Sequence, residues 1–316
     1  MTLHQNVVGV DVAKDWIDTC DLASGEVRHI DTTPRALKAF AAKLAGSPGQ
    51  TLAVFEASGG CERPLIAALE AAGVAYARVN PRQAREFARA TGRLAKTDKV
   101  DARVLAEMGR ALELAPTIPV DPARRRLAEL VARREDLVGA ISRETQRLGQ
   151  ACDAFVRRDI RSLLTVLKGR RTSLEKEIAA QLRANQTLAG KDRRLRTAPG
   201  VGPSVAATLI ACLPELGQIE RRPIASLAGL APHASDSGRS KGKRQVWGGR
   251  AEVRRALYIA AFIASRYDPE LKALRARLIA AGKPFKVAII AIARKLLTIL
   301  NAMIHENRDY QTRSAN

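Results

Sequence analysis

Asn6-Val-Val-Gly-Val-Asp-Val-Ala13 is a β-branched run interrupted by one carboxylate, Asp11, and no other stretch constrains the fold as much. Short apolar β-branched runs read as buried strands. An unpaired carboxylate inside one is costly, so strands seldom tolerate it without a purpose. A second run, Trp16 to Leu22, reaches the turn pair Ser24-Gly25, and Glu26 to Asp31 returns, which predicts a three-stranded meander.

The elements that follow alternate. Thr33-Pro34 supplies an N-cap and a proline at the first helical position, with Leu37, Phe40, Ala41 and Leu44 as the apolar face. A strand from Thr51 to Phe55 ends at Glu56 and breaks at Ser58-Gly59-Gly60. Pro64 to Ala72 reads as helix, Val74 to Val79 as strand and Pro81 onward as helix. This order is mixed α/β, and it is the order of a ribonuclease-H-like architecture. Pro116, Pro119 and Pro122 mark a boundary.

Charge narrows the partner. With 53 Lys and Arg against 32 Asp and Glu, the net charge of +21 is the footprint of a nucleic-acid binder. Aromatic residues make up only 4% of the chain, which argues against rows of base-stacking platforms and favours backbone and shape recognition of duplexes. The first residues lack a secretory pattern, and no apolar run approaches the roughly 18 residues of a membrane span, so an intracellular chain is expected. Cys20, Cys61, Cys152 and Cys212 form no C-x-x-C pair, and His4, His29, His233 and His305 have no zinc-like spacing.

Against this positive background, Asp11, Glu56, Asp98 and Asp101 stand out. Asp11 lies mid-strand, Glu56 ends a strand that would pair beside it, and Asp98 and Asp101, three apart, share a helix face. Hard Mg²⁺ prefers oxygen ligands, and two-metal phosphoryl transfer needs carboxylates converging from separate elements. Each acid also has a plainer reading: Asp98 and Asp101 as a helix-start signal, Glu56 as a solvated strand end.

Leu127, Val131, Arg134, Val138, Ile141, Thr145, Leu148, Cys152 and Phe155 follow steps of four and three, a coiled-coil seam. A turn near Arg157 to Asp159 precedes a second helical stripe, Ile160 to Leu182, giving either an antiparallel intramolecular arm or a dimerisation device. Thr197-Ala-Pro-Gly-Val-Gly-Pro-Ser204 has the pattern of a helix-hairpin-helix turn whose Gly200 and Gly202 amides can grip a phosphate, although a structural turn uses the same glycines. His233 to Arg250, rich in Ser, Gly, Lys and Arg, reads as a basic loop, and Val287 to Met303 as a closing core helix.

Together, Val8-Gly-Val-Asp-Val-Ala-Lys14, Phe55-Glu-Ala-Ser-Gly59, Lys96-Thr-Asp-Lys-Val-Asp-Ala-Arg103, Pro199-Gly-Val-Gly-Pro203 and Leu227-Ala-Gly-Leu-Ala-Pro232 with its Ser/Gly-rich sequel resemble the DEDD-type insertion-sequence transposases, recombinases whose relatives are guided by a bridge RNA. The resemblance spans almost the whole chain. It implies a RuvC-like domain over residues 1–117 in which Asp11, Glu56, Asp98 and Asp101 bind Mg²⁺, or Mn²⁺ in its place. A helical coiled-coil arm over 118–190 and a mostly helical transposase domain over 191–316 follow.

The nucleophile is expected at Ser237, with Ser235 as its alternative. Arg239, Lys241, Lys243, Arg244 and Arg250 are expected at phosphate, although each basic side chain reads equally well as a solvated surface charge. The implied partners are donor and target double-stranded DNA, a structured guide RNA and further copies of the chain, as a homodimer assembling to a tetramer. The implied location is the bacterial cytoplasm, at the nucleoid. Three rival classes remain: a metal-dependent junction endonuclease using water, an actin-like or sugar-kinase ATPase, for which further Gly-rich nucleotide loops are missing, and a non-catalytic DNA-binding module.

Overall fold

The computed structural model describes residues 6–47, 50–92, 98–233, 236–237, 240–241, 245–246 and 248–311, leaving aside the side chains of 98–100, 233, 236–237, 240–241 and 245. The chain divides into two compact units, Met1–Pro119 and Val120–Asn316.

In the first unit β1 (Asn6–Val12), β2 (Trp16–Asp21) and β3 (Val27–Asp31) form the expected meander, and α1 (Pro34–Ala45), β4 (Thr51–Glu56), α2 (Arg63–Ala71), β5 (Ala75–Val79), α3 (Pro81–Ala90) and α4 (Asp98–Ala111) follow. The sheet order is β3-β2-β1-β4-β5, with β1, β2 and β3 antiparallel and β1, β4 and β5 parallel. Parallel neighbours require crossovers, and the helices between β3 and β4 and between β4 and β5 supply them.

Both faces of this sheet are covered, so β1 is apolar on both sides. Val8, Val10, Val12, Ala53 and Phe55 pack with Leu37, Phe40, Leu44, Leu65 and Leu69. Val7, Leu52, Val54, Ala77 and Val79 pack with Ala84, Leu105, Ala106 and Met108 on the other face. The alternation is the period of two that a strand imposes. Helix α1 starts as its sequence dictates, with the Thr33 hydroxyl accepting from Ala36 N at 3.3 Å and Pro34 in the first turn.

Glycine brings α4 onto the sheet. A Cβ at Gly9 would lie 1.9 Å from the Ala102 carbonyl oxygen and 2.5 Å from Ala106 N, and one at Gly109 would lie 2.7 Å from Val54 and 2.8 Å from Val7. The helix backbone therefore rests directly on β1 and β4.

The second unit comprises α5 (Pro122–Gln150), α6 (Ala154–Ala184), α7 (Gln186–Leu195), α8 (Pro203–Cys212), α9 (Arg221–Leu227), the short strands β6 (Pro232–His233), β7 (Asp236–Ser237), β8 (Ser240–Lys241) and β9 (Gln245–Val246), then α10 (Ala251–Tyr267), α11 (Pro269–Ala280) and α12 (Phe285–His305). Leu127 and Val131 of α5 and Ile178 and Leu182 of α6 join the core built on α8, α10 and α12.

Helices α5 and α6 form an antiparallel hairpin, stitched by Arg134 Nε to Glu175 at 3.0 Å and by Gln181 Nε2 to the Ala123 carbonyl at 3.2 Å. The turn comes earlier than the heptads suggest. Asp153 caps α6 by accepting from Val156 N at 2.9 Å, so the seam stops before Cys152 and Phe155 is left exposed. Helix α5 ends at Gln150, and the cap that starts α6 sits where apolar periodicity alone would carry the first helix on.

Contrary to the sequence expectation, one helix, α12, is long and apolar enough to cross a membrane by length and composition. Its residues Ile289, Ile292, Leu296, Leu297 and Leu300 are fully buried in the helical core, and Arg294 and Lys295 interrupt it. That is the burial of a core helix.

Candidate active site

Asp11 and Glu56 meet through strand register. The parallel pairing of β1 and β4 sets Val10 beside Phe55, so the next residues, Asp11 and Glu56, stand side by side at the ends of neighbouring strands. By the period of two they share the face of Val7, Gly9, Leu52 and Val54, which α4 covers. Both are half-buried.

The direction of α4 delivers the other two acids. Gly109 sits over Val7 and Val54, and Ala102 over Gly9, so the helix runs back along β1 and its first turn points toward Asp11. From Ala102 to Asp98 the helix rises about 6 Å, and from Gly9 to Asp11 the strand advances about 7 Å. The backbone of Asp98 is thus level with Asp11. Asp101, half-buried, lies on the helix face of Leu105 and Met108. Lys96 and Thr97 lie outside the described residues, as does the Asp98 side chain.

These four positions offer only carboxylate oxygens, the donor type a hard divalent cation prefers, and in donor chemistry they fit Mg²⁺ or Mn²⁺. Among the described residues, no three His, Cys, Asp or Glu side chains already form a closed metal cage.

One acid organises the site without any signal in the sequence reading. Glu62, buried, accepts from Ser58 N at 3.2 Å, Ser58 Oγ at 3.0 Å and Gly60 N at 2.8 Å, and pairs with Arg78 at 2.8 Å. Burial pushes its carboxyl up, but the hydrogen bonds and Arg78 outweigh that and hold it below its ordinary range. It fixes the turn that leaves Glu56. An acid two residues after a Gly-Gly pair was the available clue.

In the second unit the basic stretch is built as paired strands. β6 pairs with β9 and, between them, β7 with β8, setting Ser237 opposite Ser240 and Asp236 opposite Lys241. Ser235, Gly238, Arg239, Lys243 and Arg244 lie outside the described residues. The base of this hairpin closes by backbone contact: Gly229 (φ 64°) and Gly249 (φ 63°) are so close that a Cβ on Gly249 would lie 2.2 Å from Gly229 N.

Arg250, expected at phosphate, has another task there. Its guanidinium donates to both Glu215 carboxylate oxygens at 2.6 Å and to the Cys212 carbonyl at 2.9 Å. A bidentate, half-buried pair is a structural clamp. Burial would raise the Glu215 carboxyl, yet the Arg250 hydrogen bonds leave it below its usual value. Nearby Cys212 is pushed up to about 11, first by burial, so it stays a thiol.

Gly200 too has a packing reason. At φ 78° a Cβ would lie 2.2 Å from the Ala260 carbonyl oxygen, whereas a Cβ at Gly202 would meet nothing and this residue caps α8 without a side-chain bond. Of the two glycines, only Gly202 has room for a side chain.

Two family models match successive stretches of the chain. Residues 8–156 match a transposase family model of the DEDD type, and residues 192–276 match the transposase IS116/IS110/IS902 family. The pilin gene-inverting protein of Moraxella bovis is 31% identical over 240 residues, covering 74% of each chain, as is that of Moraxella lacunata. An uncharacterized 43.6 kDa protein of insertion element IS110 from Streptomyces coelicolor is 31% identical over 202 residues, covering 60% of this chain and 49% of its own.

Proposed function

Since the chain belongs to the IS116/IS110/IS902 transposase family and is a DNA transposase or recombinase, we propose that it cuts DNA at the acid row of a ribonuclease-H-like unit and holds the cut end on Ser237. The observation that carries this reading is the juxtaposition of Asp11 and Glu56 on adjoining parallel strands beneath the first turn of α4. The strand order β3-β2-β1-β4-β5 supports the fold assignment.

Asp11, Glu56, Asp98 and Asp101 would hold Mg²⁺ or Mn²⁺. When bound, such a cation supplies charge stabilisation at a phosphoryl oxygen. The chain's own contributions are distinct. Four carboxylates keep phosphate away unless a cation is present, and Glu62 keeps the turn after Glu56 in place.

Ser237 Oγ attacks phosphorus. The Oγ–P bond forms as the hydroxyl proton is lost to solvent and the P–O bond to the departing deoxyribose breaks, the leaving oxygen taking up a proton to become a free hydroxyl, so the phosphodiester's energy is kept for rejoining. Arg239, Lys241, Lys243 and Arg244 cradle the phosphate, and Gly202 at the start of α8 grips the DNA backbone. The proposed partners are donor and target duplex DNA and a structured guide RNA, with homodimers assembling to a tetramer in the cytoplasm. Gene inversion by the Moraxella relatives supports strand exchange over simple cutting.

Ser237→Ala should abolish the covalent protein–DNA adduct, read as a shifted band on a denaturing gel, while Ser235→Ala keeps it. Cleavage that persists in Ser237→Ala without any adduct would replace the serine with water, the chemistry of a junction endonuclease. Binding to duplex DNA should weaken about 10³-fold or more between 50 and 200 mM salt, as expected for a protein neutralising several phosphates. A flat salt response in a filter-binding titration is incompatible with the electrostatic reading.

A further inference from the structure

The acid row does not end at Asp11. On β2 the residue opposite Asp11 is Asp18, and on β3 the residue opposite Asp18 is His29. Residues directly opposite share a face. Glu56, Asp11, Asp18 and His29 therefore form one line across four adjoining strands, of which the sequence reading had only the first two.

Asp18 and His29 are unequal partners. Asp18 is 5% exposed and its Oδ1 lies 2.8 Å from His29 Nδ1, while the His29 side chain is 60% exposed. A carboxylate only accepts, so Nδ1 carries the proton and Nε2, across the ring, is left for a ligand. Trp16 lies two residues before Asp18, on the same face. It is 39% exposed, and its ring centroid is 5.7 Å from that of His29 at an interplanar angle of 36°.

A buried acid on the neighbouring strand thus holds the exposed His29 ring, against which Trp16 lies. His29 stands two strand spacings, about 10 Å, from Asp11, and Trp16 one strand spacing across and two residues along, about 8 Å. Packing within the sheet does not explain rings left this open. Their flat faces suit a nucleobase, which can approach a row of carboxylates that repels bare phosphate.

We infer that Trp16 and His29 form a stacking subsite for an unpaired base of the DNA strand being cut, within about three base steps of the scissile phosphate at about 3.4 Å per step. Asp18 is the positioning residue that aims His29. The location relative to the cut rests on the proposed role of the acid row; the subsite itself does not.

Intrinsic fluorescence tests this on the Asp11→Asn protein without divalent cation, so that no strand is cut. The chain has two tryptophans, Trp16 and Trp247, and the signal lost in Trp16→Phe isolates Trp16. Single-stranded DNA should quench that component, and Trp16→Ala should weaken its binding by fluorescence anisotropy roughly 5- to 150-fold, the range for losing one base–aromatic stack. Asp18→Asn should weaken binding in the otherwise unchanged protein and have no further effect in His29→Ala, a coupling that a merely structural role would not produce.

DNA that binds by anisotropy without quenching Trp16 would overturn the subsite. Quenching by RNA but not by DNA would overturn its assignment to the DNA strand. Equal losses from Asp18→Asn with and without His29 would remove Asp18 as its positioning residue. Metal-dependent cleavage, measured separately, reports on the acid row alone: if it survives Asp11→Asn while quenching is seen, the proposed function fails and the subsite stands.

Discussion

Asp11→Asn is expected to reduce strand cleavage by about a thousand-fold or more while leaving the protein folded. A bound cation contributes several kcal/mol of charge stabilisation at the reacting phosphoryl group, and each factor of ten corresponds to about 1.36 kcal/mol. Asparagine keeps the shape of the side chain and removes its charge. Because Asp11 has Glu56 on one side and Asp18 on the other, three carboxylates stand abreast, and like charges opposite each other destabilise a sheet. The metal-free variant should therefore melt at the same temperature as the parent or slightly higher. A nicking assay on a labelled duplex, paired with a thermal melt in chelator, checks both halves. Cleavage near the parent rate would remove Asp11 from the chemistry, and with it the acid row.

Gly9→Val should unfold or severely loosen the N-terminal unit, with a loss of about 3 kcal/mol or more. Overpacking a core by a few methyl groups already costs about 1–3 kcal/mol when side chains can yield. Here the obstacles at 1.9 and 2.5 Å are the carbonyl of Ala102 and the amide of Ala106, and backbone inside a helix cannot rotate away. Helix α4 would have to lift off β1, taking the first turn that carries Asp98 and Asp101 with it. Cleavage should fall together with stability, and hydrogen exchange should localise the loss to α4 and β1. Gly149→Ala, on the open face of α5 where nothing lies within 4 Å, is the control expected to be neutral. An unchanged melt for Gly9→Val would mean that α4 does not sit where its glycines put it.

Much of the first unit was legible because its signals are local. The β-branched run of β1, the Thr33-Pro34 start of α1 and the apolar face Leu37, Phe40, Ala41 and Leu44 each follow from a period or a cap within a few residues. Asp11 and Glu56 were legible too, as an acid inside one apolar strand and an acid at the end of another. Asp18 was not. In Trp16-Ile-Asp-Thr-Cys-Asp21 it reads as the polar half of an alternating strand, whereas in the fold it is buried on a strand against which α4, some eighty residues later in the chain, packs. Arg250 misled for the complementary reason: in a basic stretch it looks like its neighbours, while Glu215, far away in sequence, claims it. The α5–α6 turn was displaced because apolar residues at Cys152 and Phe155 prolong the heptads, whereas α5 ends at Gln150 and the side chain of Asp153 already caps the start of α6.

The amino-acid order by itself determined most of the strands and helices of the first unit and that a positive chain carries acids in its apolar strands, since these depend on side chains within a turn or two of one another. Tertiary structure decided which of those acids share a row, that Asp18 and His29 extend it, and that Arg250 is claimed by Glu215. Such outcomes depend on strand register and on how closely a helix can approach a sheet, and these are set by contacts between residues far apart in the chain, here by two glycines that let backbone meet backbone.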